Sequence, residues 1–388
     1  MEYRELGRTG LRASRLGFGS MRLPTITIGS TDYIDFDRAV EVLHAAFRLG
    51  INYVDCGFLY VSEQAEIAVG RAVNSWHSPD DIIITDKATK FRLERQGDLR
   101  RMLEHQLQRL GRDWVHFYLF HGIGWDNFWE LDAQTGWIRD MFRAREEGLV
   151  RHVGFSFHDE PQAMMDLVNL GWAELVTCQY NYLDRRNEVA MRYAASKGVA
   201  VVVMGPVGGG RLAVLPKGVA ERTGWSAQSA AELALRFVAS NPDVDVMLSG
   251  MNSVEMVEQN VMAVEKGPLA PAQVQEIAAL MDYYGRLAKL YCTGCQYCLP
   301  CPQNVNIPRV FELFNYLTVY GLEEYARREY ARLMGKGQDA SHCIECETCL
   351  ERCPQSLPIP ERLKEAHAAL SAGACPPALR GQNRPLVL

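Results

Sequence analysis

The 388-residue sequence predicts an α/β protein, a (β/α)8 TIM barrel followed by a small, mostly α-helical domain. Three observations lead there. From Leu16 to Ser249, eight short apolar runs alternate with amphipathic stretches, the pattern of parallel strands joined by helical crossovers. No G-x-G-x-x-G follows the first run, which counts against an open, doubly wound sheet. Beyond Pro271 the alternation stops and two dense cysteine runs follow.

The predicted strands are Leu16 to Gly19, Asn52 to Asp55, Ile82 to Thr85 and Val115 to Phe120, then Val153 to Phe155, Leu175 to Gln179, Ala200 to Met204 and Val246 to Ser249. Several are near-continuous apolar runs, as strands covered on both faces require. Helical spacing marks Phe36 to Leu49, Asp98 to Leu110, Gln162 to Leu170, Asn187 to Lys197 and Ser229 to Ser240, and Gly50, Gly111, Gly171 and Gly198 stand where helices end. The barrel domain is assigned to residues 1–270. Residues 271–388 then hold a connecting helix (Pro271 to Leu290), the first cysteine run, a helical stretch from Ile307 to Leu333, the second run and a Pro- and Gly-rich tail after Ser371. No repeat is read beyond the two cysteine runs.

Composition narrows the function classes. With 48% hydrophobic and 23% charged residues, disordered, collagenous and coiled-coil classes are excluded. A net charge of -6 leaves no basic footprint for nucleic acid or an anionic bilayer. The apolar run Val199 to Val203 is too short to span a membrane, and the N-terminal MEYRELGRTG has no apolar secretion core. The expectation is a cytoplasmic protein with no nucleic-acid partner and no membrane span.

Eight of the 11 cysteines lie in the two runs, Cys292, Cys295, Cys298 and Cys301 before Pro302, and Cys343, Cys346, Cys349 and Cys353 before Pro354. Cys56, Cys178 and Cys375 are scattered and read as ordinary small thiols. The second run is a full C-x2-C-x2-C-x3-C-P, the bacterial iron–sulfur spacing; the first has two residues before its last cysteine. Four-cysteine zinc sites also use C-x2-C, but they draw two cysteines from each of two knuckles. Four close cysteines ending in Pro, occurring twice, favour iron–sulfur clusters.

Catalytic groups in a barrel belong at the C-terminal ends of strands. Strand two ends at Asp55 with Tyr60 five residues later, strand three runs into Asp86 and Lys87, and strand four into His121. Each alone has a dull explanation: a core aromatic, a solvated charge, a structural histidine. Titratable groups at three successive strand ends converge on one mouth.

These residues carry a resemblance. Through "LGFGSM", "NYVDCGFLY", "IIITDK", "FYLFHG", "RHVGFSFHD", "CQYNYLDRRN", "VVVMGPVGGGRL" and "SGMNSVEMVEQN", the chain resembles the aldo-keto reductase family. The resemblance implies a catalytic Asp55, Tyr60, Lys87 and His121, with Lys90 the runner-up for the lysine. Reduction of a carbonyl needs an acid at the developing alkoxide. A cation beside a tyrosine of ordinary pKa ~10 eases release of its proton, Asp55 would hold that cation, and His121 would orient the oxygen. For the nicotinamide cofactor, NADP or NAD, the resemblance implies Gly19, Ser156, Gln179, Met204, Gly209, Gly210, Gln259 and Asn260. Phe157 stands where the family has an Asn, and Met204 where it has an aromatic. No Lys or Arg lies between Ser249 and Asn260 to take a 2'-phosphate.

The cysteine region resembles the α-helical ferredoxin-like modules of respiratory-type oxidoreductases, carried by one branch of the aldo-keto reductases. By the ferredoxin crossover, one [4Fe-4S] cluster would take Cys292, Cys295, Cys298 and Cys353, and the other Cys343, Cys346, Cys349 and Cys301. The resemblance implies an oxidoreductase acting on a small carbonyl or alcohol, its clusters exchanging electrons with a ferredoxin or flavodoxin-like partner. The alternatives are cluster-driven radical chemistry such as dehydration, or an electron-transfer protein with an idle barrel.

Overall fold

The computed structural model describes residues 1–28, 31–213, 215, 219, 225, 230–283, 292, 294–318 and 323–372. Eight strands close into a barrel: β1 (Leu16–Gly19), β2 (Tyr53–Asp55), β3 (Ile83–Thr89), β4 (Val115–Ile123), β5 (Val150–Phe157), β6 (Leu175–Gln179), β7 (Ala200–Met204) and β8 (Val246–Ser249). Every adjacent pair is parallel, and β8 returns to β1 through Leu248 opposite Gly17. All eight predicted strands are therefore present. β3, β4 and β5 are longer than the sequence patterning indicates because their mutual pairing continues past the apolar run, with Thr89 opposite His121 and Ile123 opposite Phe157.

The interior is filled by Tyr53, Ile83, Phe117, Leu119, Leu175 and Val202, inward residues of successive strands. The sequence reading missed an antiparallel hairpin, Tyr3–Glu5 with Arg12–Ser14. Its Leu6 and Ala13 are fully buried in that interior cluster. The Arg8 N–H bonds Gly198 O at 2.9 Å at the start of β7, so the hairpin covers the barrel end opposite the strand C-termini. A second hairpin, Thr25–Ile28 with Thr31–Ile34, was also unforeseen.

The five helices expected from periodicity occur as Phe36–Arg48, Asp98–Leu110, Pro161–Asn169, Glu188–Ser196 and Ala230–Ala239, and the four expected closing glycines take positive φ. Further helices occupy Ala65–Asn74, Trp125–Thr135, Trp137–Glu146 and Val254–Glu265. The pair after β4 splits at Gly136, with φ 65°, and packs Phe128 and Trp137 with Phe120, ring centroids 5.3 and 4.4 Å away. This aromatic layer braces the strand that carries His121.

The chain forms two compact units, residues 1–214 with 222–283, and 215–221 with 284–388. The helix expected from Pro271 to Leu290 spans Pro271–Tyr283; its remainder lies outside the described residues, as do Cys375 and the tail from 373. The stretch expected from Ile307 to Leu333 consists of helices Ile307–Thr318 and Glu323–Met334, and a further helix, Ile359–Ser371, follows the second cysteine run. Val310, Phe311, Leu313, Tyr330, Leu363 and Leu370 form a separate core there. Among the described residues, no helix is long and apolar enough to cross a membrane.

Gly70, on helix Ala65–Asn74, lies against the end of helix Asp98–Leu110, where an added Cβ would sit 2.4 Å from Leu110 O. Alanine normally improves a helix interior by about 1 kcal/mol. Here the backbone overlap should reverse the sign, and Gly70→Ala should lose about 1–3 kcal/mol in urea unfolding.

Candidate active site and cysteine cavities

β2 is only three residues long and delivers Asp55 to the barrel mouth opposite Gly19 on one side and Thr85 on the other. Two residues beyond Thr85, Lys87 Nζ donates to Asp55 Oδ2 at 2.7 Å and also to Cys56 O. Burial pushes the Asp55 carboxyl up, and the Lys87 ammonium opposes that shift. Asp55 Oδ1 has no hydrogen-bond partner among the described residues. Tyr60 follows in a tight loop in which its N–H bonds Gly57 O at 3.0 Å. The next three residues, Val61, Ser62 and Glu63, all take positive φ, unusual for non-glycine residues and for a β-branched valine above all. This turn aims the tyrosine ring inward, with Lys87 Nζ 4.9 Å from its centroid and the His121 ring 6.0 Å away, edge-on at 80°.

Asp55, Tyr60, Lys87 and His121 are thus brought together, and none is more than 9% exposed. Burial, then the charges of Lys87, His158 and Lys90, holds the His121 imidazole well below its ordinary value. His121 is therefore neutral at pH 7 and donates through a single ring N–H. Lys90 lies one residue beyond β3, in the turn Lys90–Arg92, 5.6 Å from the Phe91 ring. Lys87, and not Lys90, pairs with Asp55.

The expected nicotinamide contacts lie on the same rim. Ser156, near the end of β5, accepts from Gly122 N through its Oγ at 2.7 Å. Gln179 and Met204 stand opposite each other at the ends of β6 and β7, and Gly19 ends β1. Gly208–Ala213 is a 3-10 turn that contains Gly209 and Gly210. Gln259 is exposed on helix Val254–Glu265, whereas Asn260 is buried and donates to Ser249 Oγ at 3.0 Å. Phe157 is buried beside Phe155, ring centroids 6.2 Å apart. Sequence reasoning missed Gly205, where φ is 66° and a Cβ would lie 2.1 Å from Gln179 Nε2. It also missed Asn181, which donates to Gly205 O at 2.9 Å, and Asn187, which donates to Gln179 O at 3.0 Å. The signal was the "QYNY" and "DRRN" pair within the quoted segment. The rim therefore fits a planar amide-bearing ring, with side-chain donors and acceptors at adjacent strand ends.

In the second unit the eight cysteines separate into two groups of four. Cys292, Cys295, Cys298 and Cys353 line one cavity; Cys301, Cys343, Cys346 and Cys349 line another, to which Cys298 also contributes. Burial first, then the sulfurs of Cys292, Cys295 and Cys353, raises the Cys298 thiol. Burial, then Cys343, Cys346 and Cys301, pushes Cys349 up to about 11. Thiolates crowded in this way need cationic compensation. Gln296, Glu345 and Glu347 lie between cysteines of the runs, and each takes positive φ. Such a curl turns main-chain N–H groups toward an anionic centre; Gly294 N already donates to Cys292 Sγ at 3.4 Å. The described cysteines form no disulfide, and among the described residues no three metal-ligating side chains converge as a single ion requires. Cavities lined by separated thiols fit polynuclear clusters, whose cysteines bind different irons. The structure also exposes a repeat overlooked in the sequence. "CPQNVNIP" and "CPQSLPIP" each lead into a helix, and Ile307 and Ile359 open those helices beside the cavities.

Comparison with known proteins agrees with this geometry. The profile of the Aldo/keto reductase family matches residues 15–282. The chain belongs to that family. Residues 291–357 match a 4Fe-4S dicluster domain. L-galactose dehydrogenase of Arabidopsis thaliana is 27% identical over 311 residues, covering 73% of this chain and 95% of that protein. The NADH-specific methylglyoxal reductase of Escherichia coli K12 is 23% identical over 306 residues, covering 66% and 92%. The holo form of an aldo-keto reductase from Bacillus halodurans superposes with a TM-score of 0.61 at 29% identity, covering 72% of this chain and 96% of that one. This aldo-keto reductase is therefore an oxidoreductase with a C-terminal 4Fe-4S domain.

Anaerobically purified protein should contain about eight iron atoms per chain, the content of two [4Fe-4S] clusters. Cys353→Ser should disturb the cluster bound by Cys292, Cys295 and Cys298. Stoichiometric zinc without iron, or loss confined to the other cluster, would contradict the grouping.

Proposed function

We propose that this aldo-keto reductase interconverts a small carbonyl compound and its alcohol with NAD at the barrel mouth. Its two [4Fe-4S] clusters, held by the cysteine quartets, exchange electrons with a ferredoxin or flavodoxin-like partner. The observation that carries the reading is the buried Asp55–Lys87 ion pair beneath Tyr60 and beside a neutral His121. The nicotinamide, when bound by Ser156 and Gln179, supplies the hydride, and the clusters supply single electrons.

The residues of the mouth supply the rest. His121 orients the carbonyl oxygen through its remaining N–H. Tyr60 delivers its phenolic proton to the developing alkoxide, and the Lys87 ammonium stabilises the phenolate left behind. Asp55 keeps that ammonium in place and charged. In the oxidative direction Tyr60 receives the proton instead. The names of the relatives give each direction a precedent, a dehydrogenase of L-galactose and a reductase of methylglyoxal.

Two features favour NAD over NADP. No Lys or Arg lies between Ser249 and Asn260, and Glu255 places a carboxylate in the first turn of helix Val254–Glu265, where it would repel a 2'-phosphate. The Escherichia coli relative is named as NADH-specific. The metal-type spacing of the two cysteine runs suits a reducing cytoplasm. We take residues 1–270 as the catalytic domain and 271–388 as the electron-transfer extension.

With NADH and methylglyoxal as the probe pair, Tyr60→Phe should cut turnover by about two to four orders of magnitude while leaving NADH binding intact. Lys87→Met should be comparably damaging, and Lys90→Met should keep most activity. Parent-like turnover in Tyr60→Phe would overturn the reading.

A further inference from the structure

The Lys87 peptide stands where the sheet runs out on one side. The last residues pairing β2 with β3 are Asp55 and Thr85, and the Cys56 N–H reaches Thr85 O at 2.7 Å. In a parallel ladder, alternate residues turn their N–H and C=O to the same neighbour. Lys87 therefore turns both groups toward β2 after β2 has ended. Inside a protein such groups require partners, and two side chains provide them. Asp86 Oδ1 accepts the Lys87 N–H at 2.8 Å, and Gln106 Nε2 donates to Lys87 O at 3.2 Å.

Gln106 comes from helix Asp98–Leu110 and is fully buried. Its amide is oriented from both ends. Tyr118 OH, on β4, donates to Gln106 Oε1 at 2.5 Å, and Gln106 Nε2 donates to Glu66 Oε1 at 2.8 Å. Glu66, itself 1% exposed, takes Arg109 Nη1 on its other oxygen at 2.9 Å. A carboxylate accepts only and an amide oxygen accepts only, so this chain has one consistent direction. The amide group must face the Lys87 carbonyl.

We propose that Gln106 is a positioning residue for Lys87, oriented by Tyr118 and by the Glu66–Arg109 pair, so that the lysine main chain stays in line after the sheet has ended. Nζ is thereby kept 2.7 Å from Asp55 Oδ2 and under the Tyr60 ring. Gln106, Tyr118 and Glu66 act on the reaction through the register of Lys87, and Arg109, which holds Glu66, also donates to Glu63 Oε2 at 3.3 Å in the turn after Tyr60. The inference rests on the catalytic role given above to Lys87 and Tyr60. Loss of the amide frees the Lys87 carbonyl, lets the ammonium move away from Tyr60, and weakens the cation's hold on the phenolate. The Tyr60 pKa then rises, so the alkaline limb of the rate profile moves to higher pH while the plateau falls.

The test uses full-length protein and two readouts. One is the ultraviolet tyrosinate titration, taken as the difference from Tyr60→Phe; the other is steady-state reduction of methylglyoxal by NADH. Gln106→Leu, with the parent's circular dichroism, should raise the Tyr60 midpoint by about one pH unit. Its kcat should fall about tenfold or more, with KM changed by less than about twofold. Tyr118→Phe, which removes one hydroxyl, should move both readouts the same way by a smaller amount, and it carries the test alone if Gln106→Leu does not fold. An unchanged midpoint and kcat in the folded variants would overturn the positioning role while leaving the catalytic reading intact. A parent without a Tyr60-dependent titration and without turnover would overturn both.

Discussion

An ammonium and a carboxylate confined together in a barrel mouth constrain much of this structure. Lys87 and Asp55 are each less than 5% exposed, and taking such charges out of water costs several kcal/mol per ion unless geometry and further hydrogen bonds compensate. The fold supplies that geometry from three directions. β2 stops at Asp55 so that its carboxylate meets the lysine from the neighbouring strand, and the Cys56 carbonyl adds a second acceptor. The strained turn after Tyr60 sets an aromatic face over the charge. The N-terminal hairpin and the packed interior cover the end of the barrel opposite the strand C-termini.

The same physics, with the sign reversed, organises the second unit. There the problem is crowded sulfur, with four cysteines drawn around each cavity and the Cys298 and Cys349 thiols pushed up by burial and then by neighbouring sulfurs. Left-handed residues stand between the cysteines, and the Gly294 N–H donates to Cys292 Sγ, the kind of main-chain curl that favours an anionic centre. The last cysteine of each run joins the first three of the other, which ties two segments distant in sequence into one core.

The barrel was legible in the sequence because parallel strands buried on both faces leave apolar runs, and helices between them leave glycine stops. Strand ends drew notice to Asp55, Asp86, Lys87 and His121, with Tyr60 five residues beyond Asp55, and the resemblance to the aldo-keto reductases selected Asp55, Tyr60, Lys87 and His121 from among them. What escaped detection depends on contacts between distant segments. The Tyr3–Ser14 hairpin reads as a polar N-terminus until Leu6 is seen inside the barrel. Gln106 reads as one polar residue in an amphipathic helix until β2 is seen to end too early to pair with Lys87. Gly205 reads as a loop glycine until the Gln179 amide occupies the place of its Cβ. The helices after β4 escaped although Trp125, Phe128 and Trp129, and then Trp137, Met141 and Ala144, stand at helical spacing. The CPQ repeat is present in the sequence, but its meaning depends on the two helices that Ile307 and Ile359 open.

Hydride transfer at the Asp55–Lys87–Tyr60–His121 mouth is the proposal on which the functional reading rests. The most direct measurement is a single turnover of methylglyoxal under anaerobic conditions with NADH carrying deuterium at the transferable position of the nicotinamide ring, followed by mass spectrometry of the alcohol. The account predicts one deuterium on the former carbonyl carbon, a slower transfer than with ordinary NADH, and none of this product in Lys87→Met. Product whose new carbon-bound hydrogen comes from solvent, formed equally well by Lys87→Met, would contradict it.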